Sequence, residues 1–344
     1  MKNSVSLALT LICLMLVVGC QMQTARFHHG MTHGRSVPWL NEHFDDSEDK
    51  FTFGIVTDLN GGERPGIFEI AVGQLNLLRP ELIVTVGDLV DGVSSNPDSI
   101  HAEYDSFDDR ARKAKAPLFH LGGNHDLTDP AMRQVWKERY GAHYYYFIYR
   151  NVLFLMLDTE DLTDERRAEI HLARQAAIKV LDGPDPEKAR DMPYFMMPER
   201  VTGNIGKEQS TYFQRIIAEN PEVRWTFLFM HKPVWQRTGE GSLEPIESAL
   251  AGRKYTLFNG HFHSYSHTLK NNTDHIVLGT TGGHQDEKSA GAFDHVTLVT
   301  MTSDGPSIAN LRLDGIYDKT GHIPLNGDSV CFQASRCKQA PSAH

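Results

Sequence analysis

Carboxylate, amide and imidazole side chains follow five apolar segments of the sequence, each where a β-strand is predicted to end. They are Asp58, Asp88, Asn124 with His125, His231, and His261 with His263. These groups are the donors that borderline and hard divalent cations such as Mn, Fe and Zn prefer. His261 and His263 are two residues apart, so in an extended segment both point to the same side. One such motif is typical of an ordinary turn, but five together predict a metal site.

A pair of divalent ions bound by such residues suits the hydrolysis of a phosphate ester. Two ions roughly 3.5–4 Å apart acidify a water molecule and hold the phosphoryl oxygens during in-line displacement. A carboxylate shared by both ions keeps them close together. An imidazole, whose pKa is ordinarily about 6.5, can supply the leaving-group proton at neutral pH. No serine or cysteine nucleophile motif competes with this interpretation.

The elements that must position these residues alternate between strands and helices. Strands are predicted at 51–57, 82–86 and 117–121, with helices at 67–78 and 101–114 between them. This order predicts right-handed βαβ units and a mostly parallel sheet. Ligands of such sheets bind at the carboxyl ends of the strands, which is where the candidate residues lie.

The sequence pattern of the second half of the chain predicts a further set of strands that are more antiparallel. Helices are predicted at 132–140, 165–181, 207–219 and 246–251, and strands at 144–149, 152–157, 225–230, 255–258, 276–279, 296–302 and 308–313. No repeat or composition break occurs within 51–315, so one two-sheet domain is the economical interpretation. Residues 161–206 are either an insertion that covers a site or meets a partner, or a surface excursion.

The first twenty residues are typical of a signal peptide rather than of the folded protein. A basic start, the apolar stretch 7–18 and small residues before Cys20 resemble a bacterial lipoprotein signal, in which that cysteine is lipidated. The alternative is an ordinary secretory peptide. Gln21 resembles the signal for outer-membrane sorting. We therefore expect residues 21–50 to be a tether, with the protein lipid-anchored in the cell envelope, facing the periplasm from the outer membrane.

Charge and cysteine content narrow the choice of partners and of compartment. The formal net charge of −10 argues against a nucleic-acid partner, since nucleic-acid binding relies on basic patches. It does not exclude a small phosphorylated substrate held by metal ions. In an oxidising periplasm, Cys331 and Cys337 could pair within the expected C-terminal tail, 316–344.

The ordered motifs resemble the calcineurin-like metallophosphoesterase superfamily. They are Asp58-x-Asn60, Gly87-Asp88-x-x-Asp91, Gly123-Asn124-His125-Asp126, His231 and Gly260-His261-x-His263, within a resemblance that covers about residues 51–315. The resemblance implies a mixed α/β fold, a four-layer αββα sandwich of two mixed sheets that carries two divalent metal ions.

The resemblance also implies roles for individual residues. Asp88 would bridge both metals, Asp58 and His263 would hold the first, and Asn124, His231 and His261 the second. His125 would contact the scissile phosphate and protonate the leaving oxygen. Asp126 would orient the His125 ring.

One residue departs from the family pattern, and another distinguishes between branches of the family. Asn60 stands where the family usually has a metal-binding histidine. Because a carboxamide is a harder and weaker donor than an imidazole, the first site either shifts towards harder ions such as Mn, becomes partly occupied, or tolerates the replacement. Asp91, which ends the Gly87 motif in place of tyrosine, argues against the purple acid phosphatase branch.

The resulting prediction is a dinuclear metallophosphoesterase that hydrolyses a phosphomonoester or phosphodiester by attack of metal-bridging hydroxide. One alternative is a catalytically degenerate member that acts as a surface binding or scaffold lipoprotein. Another is a metal-dependent hydrolase of a non-phosphate ester.

Overall fold

The computed structural model describes residues 44–45, 47–285 and 289–333, and all statements below concern this part of the chain. Its β-strands are β1 (Phe51–Val56), β2 (Leu82–Thr85), β3 (Leu118–Phe119), β4 (Tyr145–Tyr149), β5 (Val152–Leu157), β6 (Trp225–Met230), β7 (Tyr255–Asn259), β8 (Ser266–Lys270), β9 (Thr273–Val277), β10 (His295–Met301) and β11 (Pro306–Arg312). Its α-helices are α1 (Ile67–Leu78), α2 (Pro97–Ala111), α3 (Asn124–Leu127), α4 (Pro130–Tyr140), α5 (Asp164–Leu181), α6 (Pro193–Met196), α7 (Pro198–Thr202), α8 (Lys207–Glu219) and α9 (Glu244–Ala249). Within these ranges no helix combines the length and apolar character needed to cross a membrane.

The strands form two mixed sheets. The first has the order β11-β10-β1-β2-β3, in which β1, β2 and β3 are parallel and β10 and β11 are antiparallel. The second has the order β4-β5-β6-β7-β9-β8, with a parallel centre and an antiparallel strand at each edge. Parallel neighbours in both sheets place several strand ends on the same side of the molecule.

Three apolar layers separate four layers of secondary structure. Alternate residues of β5 show the arrangement: Phe154 packs between the two sheets, whereas Leu153 and Leu155 pack under the outer helices. This period of two is what a strand buried on both faces requires. Helices α1, α2 and α4 cover the first sheet, and α8 and α9 cover the second. The predicted αββα sandwich is confirmed.

Aromatic side chains fill the layer between the sheets. Phe53 of the first sheet lies 5.3 Å from Phe154 and 5.0 Å from Phe227 of the second, in edge-to-face geometry. Such pairs add about 0.5–1.5 kcal/mol each beyond the burial of their area. The two sheets are therefore held as one rigid base for the residues at their strand ends.

Most predicted elements are present with bounds close to those expected, but one strand was not predicted. Strand β8 has the sequence SHTLK and is mostly exposed, so it lacks the apolar run or alternation that identifies a buried strand. Its hairpin turns at Asn271 and Asn272, both with positive φ, as a two-residue hairpin loop requires. The two adjacent asparagines were therefore the feature of the sequence that could have predicted this hairpin.

The expected C-terminal tail is not free over residues 316–333. Ile323 and Phe332 are buried against α1, and the Arg64 guanidinium donates to the Phe332 carbonyl at 3.1 Å. The few apolar residues of this stretch follow neither a helical nor a strand spacing, so no periodicity reveals them. Cys331 is disulfide-bonded, but Cys337 lies outside the described residues, and the pairing of the two stays a prediction.

Candidate metal centre

The predicted metal-binding residues come together at the carboxyl ends of strands from both sheets. Asp58 follows β1 and Asp88 follows β2 of the first sheet, while His231 follows β6 of the second. The remaining candidates are Asn60 after β1, Asn124 and His125 at the start of α3, and His261 and His263 after β7. A direct bond joins the sheets here, since the His261 amide donates to Asp58 Oδ1 at 3.0 Å. The site therefore lies where the two sheets meet.

Two groups of potential ligands share the Asp88 carboxylate. Asp88, His231 and His261 each offer one ligand atom, and these atoms lie within 4.8 Å of one another. Asp58, Asp88 and His263 satisfy the same criterion. A carboxylate common to two groups is the arrangement that a pair of bridged cations requires.

Backbone carbonyls fix the orientation of each imidazole in these groups. The acceptors are Val86 for His231 Nδ1 at 2.9 Å, Arg200 for His261 Nε2 at 2.8 Å, and His284 for His263 Nδ1. Because a carbonyl accepts a hydrogen bond only from an N–H, each ring in its neutral form has its lone pair on the other nitrogen. Metal-binding histidines in proteins are typically oriented in this way.

Two buried polar atoms in the centre lack a hydrogen-bond partner among the described residues, and this tests the fit of a cation. They are Asn124 Oδ1 and His231 Nε2. The latter lies 3.1 Å from Asp88 Oδ2 without alignment for a hydrogen bond. An unpaired buried polar atom costs about 1–3 kcal/mol, so such atoms are rare without a function. Both are electron-pair donors, and they fit a divalent cation.

The electrostatics of the centre favour positive charge beside its carboxylates. Burial opposes ionisation of Asp88, but the imidazoles of His231 and His125 hold its pKa well below the usual range. Burial likewise opposes charge on His231, but Asp88 and then Asp58 raise its pKa to about 9. Protonated imidazoles or bound cations satisfy the same demand, so metal binding is expected to release protons.

Four of the candidate ligands have strained backbones. The φ angles are 48° at Asp58, 54° at Asp88, 77° at His261 and 52° at His263. Left-handed conformations at non-glycine residues cost about 1–3 kcal/mol each and cluster at functional sites. They persist because neighbouring glycines allow close packing: Gly87 has φ of 88°, and a Cβ there would lie 2.5 Å from His231 Nδ1.

A sequence model of the family described as calcineurin-like phosphoesterase matches residues 51–265. The chain belongs to this family. The match ends at the strand-end histidines after β7, so it spans all the candidate metal-binding residues.

Solved structures that resemble this one are distant in sequence. A dimetal phosphatase from Danio rerio aligns with a TM-score of 0.51 and 16% identity, over 76% of this chain and 98% of that one. The purple acid phosphatase PPD1 from yellow lupin aligns with a TM-score of 0.47 and 12% identity, over 76% of this chain and 53% of that one. GAP50, described as the anchor in the inner membrane complex of Plasmodium, aligns with a TM-score of 0.46 and 14% identity, over 80% of this chain and 87% of that one. No curated protein sequence matches the chain.

Asn60, which departs from the expected family pattern, lies two residues after Asp58, and its backbone N–H donates to the Asp88 carbonyl at 3.2 Å. Its side chain is buried, and its amide nitrogen donates to the Leu89 carbonyl. This bond leaves the carboxamide oxygen as the side-chain atom able to bind a cation. An oxygen ligand suits harder ions such as Mn better than Zn.

His125 is held by the backbone so that one ring nitrogen faces the centre. Its Nδ1 lies 2.5 Å from the Asp91 carbonyl, which assigns the proton to that nitrogen. Its amide donates to Asp88 Oδ1 at 2.9 Å. A Cβ added at Gly61 would lie 3.5 Å from His125 Nε2 and 3.7 Å from His263 Nε2, so both atoms border the same space. Nε2 is therefore the atom placed to exchange a proton with a substrate.

The expectation that Asp126 orients His125 is wrong. The Asp126 carboxylate instead accepts from the amides of Gly123 at 2.7 Å and Leu89 at 3.2 Å, and from the Tyr104 hydroxyl at 3.2 Å. At the third position of α3, it reaches back to the amide before the helix, as in a capping box. Asp126 thus fixes the α3 turn, and the Asp91 carbonyl orients the ring.

Sequence reasoning missed two residues of the segment 161–206 that reach the centre. Arg174 of α5 lies 3.5 Å from His125 Nδ1 and 3.4 Å from the Gly92 carbonyl oxygen. Arg200 of α7 supplies the carbonyl that holds His261. The inward position of Arg174 could have been predicted, because the buried residues of α5 recur at spacings of three and four and include this arginine.

Two further histidines have different surroundings. His284 lies at the centre, because its carbonyl accepts from His263. His120 is half-buried and stacks on Tyr140 at 4.3 Å between ring centres, and burial lowers its pKa to about 4.

Proposed function

We propose that the protein is a metal-dependent phosphoesterase that hydrolyses a small phosphomonoester or phosphodiester. The observation that carries this proposal is the Asp88 carboxylate, common to two ligand groups whose imidazoles each bond a backbone carbonyl through one nitrogen and, when neutral, present a lone pair on the other. Membership of the calcineurin-like phosphoesterase family supports the reaction class.

The residues divide between two cations as follows. Asp58, Asn60 and His263 would hold the first, Asn124, His231 and His261 the second, and Asp88 both. Divalent cations held there would supply Lewis acidity for the attack of water on phosphorus. The donor set suits Mn, Fe or Zn.

His125 is the proposed acid for the leaving group. The Asp91 carbonyl keeps a proton on Nδ1, so in the proposed step the imidazolium of His125 gives its Nε2 proton to the departing oxygen. Burial lowers the pKa of His125, which makes the imidazolium a stronger acid and reduces the fraction of it present at neutral pH. Because the His125 amide also donates to Asp88 Oδ1, the proton donor and the shared carboxylate keep a fixed spacing.

The test is turnover of p-nitrophenyl phosphate and bis-p-nitrophenyl phosphate by chelator-treated protein after addition of Mn, Fe, Zn or Mg. We expect activity to return with metal and to be inhibited by inorganic phosphate or vanadate. Relative rates on the two substrates separate a monoesterase from a diesterase. Binding of two ions without turnover of either substrate, or of a wider panel of phosphate esters, would instead favour the scaffold alternative.

Asn60→His is expected to change metal selectivity at the first site. Replacing a carboxamide oxygen by an imidazole should raise the affinity for Zn relative to Mn by about tenfold, the lower end of the effect of altered metal coordination. Competitive titration of metal-free wild type and variant, followed by metal analysis, measures this ratio. Asn60→Ala serves as a reference that removes the donor altogether. An unchanged Zn-to-Mn ratio in Asn60→His would remove Asn60 from the ligand set.

The lipid anchor on Cys20 and the outer-membrane location stay proposals. The residues that carry them, 1–43, lie outside the described part of the chain.

A further inference from the structure

The short helix α7 supplies a contact that one candidate metal ligand needs. The Arg200 carbonyl accepts a hydrogen bond from His261 Nε2 at 2.8 Å, and this bond leaves Nδ1 as the lone-pair nitrogen. If the carbonyl moved away, the ring would lose its fixed tautomer and part of its basicity towards a cation. The position of α7 therefore bears directly on the second metal site.

Helix α7 is too short to hold itself in place. It contains five residues, Pro198–Thr202, and helices of this length are unstable without external contacts. Arg237 contributes one restraint, since its guanidinium donates to the Gly203 carbonyl just after the helix at 3.0 Å. The Arg200 side chain adds another by lying 4.5 Å over the Phe195 ring.

The strongest polar anchor of α7 is an ion pair with α5. Arg166 donates to both carboxylate oxygens of Glu199, from Nε at 3.2 Å and from Nη2 at 2.9 Å. The Glu199 side chain is only 9% exposed, so this bidentate pair is better shielded from water than an ordinary surface pair. Glu199 immediately precedes Arg200, so the pair fixes the backbone that carries the critical carbonyl.

We propose that Glu199 and Arg166 are positioning residues for the cation held by His261, and that the segment 161–206 is thereby part of the metal centre. The inference rests on the proposed function only in requiring that His261 binds a metal. The ion pair holds α7, α7 places the Arg200 carbonyl, and the carbonyl directs His261. A segment that is a plain surface excursion would have no such connection.

Arg166 also provides a matched control. Its Nη1 donates to Glu169, one turn along α5, at 2.7 Å, and Glu169 is 58% exposed. Glu169→Gln removes a carboxylate from the same guanidinium without touching α7. Any effect found in Glu199→Gln but not in Glu169→Gln then belongs to the link with α7.

The experiment is calorimetric titration of the metal-free full-length protein with Mn²⁺, which reads binding and not activity. His261→Ala identifies which binding phase depends on this ligand. We expect Glu199→Gln to weaken that phase by about tenfold and to leave the other phase unchanged, and Glu169→Gln to change neither. The melting temperature of the metal-free variant should stay within about 2–4 °C of wild type, as for loss of one modest contact.

Two further variants protect the test against a folding failure. Arg166→Lys keeps the charge but loses the bidentate fork, so it should weaken the same phase more mildly. The double variant Arg166→Glu with Glu199→Arg reverses the ion pair, and it should recover part of the Mn²⁺ affinity that Glu199→Gln loses. Unchanged titration in Glu199→Gln, equal weakening of both phases, or no effect of His261→Ala would overturn the inference. Failure of the proposed function would appear separately, as metal binding without phosphate-ester turnover.

Discussion

Asp88→Asn is expected to abolish most phosphoesterase activity and to reduce bound metal from two ions towards one or none. The carboxylate belongs to both ligand groups, and an amide has one donor oxygen and no charge with which to offset repulsion between two cations. Loss of several kcal/mol of transition-state stabilisation corresponds to a fall in turnover of about 10³-fold or more. Metal analysis of the purified variant and initial rates on p-nitrophenyl phosphate measure the two effects.

Asp158→Asn is the matched control for this substitution. Asp158 is another fully buried carboxylate of the domain, but it pairs with Arg133 at 2.8 Å and belongs to neither ligand group. Its replacement should lower the melting temperature and leave two metal ions bound. If Asp88→Asn keeps both its metal content and its rate, the proposed centre is wrong.

The positions of the candidate ligands that directly follow strands can be predicted from the sequence because one local rule places them. Each apolar strand ends abruptly, and the chain then turns where parallel strands leave an open edge. Asp58 and Asp88 follow β1 and β2, and His231 follows β6, close to the predicted strand ends. The residue types and the strand ends are local features, so the sequence pattern is enough to predict both.

The groups that orient those residues are invisible in the sequence. Backbone carbonyls of Val86, Arg200 and His284 hold the imidazoles, and every residue has a carbonyl. Which carbonyl lies near which ring depends on tertiary packing alone. The wrong role for Asp126 has the same origin, because the acidic residue beside His125 suggested a partner that the Asp91 carbonyl in fact provides.

The segment 161–206 shows a different limit of sequence reasoning. A helix was predicted at 165–181, and it is confirmed as α5, Asp164–Leu181. Its proposed link to the centre depends on Arg166 and on α7, whose five residues have too little periodicity to detect. Long-range ion pairs such as Arg166 with Glu199 connect residues 33 positions apart, and one sequence cannot reveal them.

His125→Ala is expected to separate metal binding from catalysis. The substitution keeps the backbone amide that donates to Asp88, so two ions should stay bound, while the proposed proton donor for the leaving oxygen is lost. General acid catalysis typically contributes about 10²–10⁴-fold, so turnover of an alkyl or phenyl phosphate should fall by this factor. Turnover of p-nitrophenyl phosphate should fall much less, because its leaving group departs without a proton. Rates on the two substrates, with metal analysis, give the comparison.

A histidine outside the centre shows whether this leaving-group dependence is specific. His120 lies five residues earlier, half-buried and stacked on Tyr140, with its pKa lowered to about 4 by burial, so it is neutral at neutral pH. His120→Asn should lower stability through the lost stacking contact and reduce neither rate selectively. An equal loss on both substrates in His125→Ala would mean that this imidazole binds phosphate or shapes the centre rather than donating a proton. Loss of metal from His125→Ala would place it, instead, among the groups that hold the Asp88 carboxylate in position.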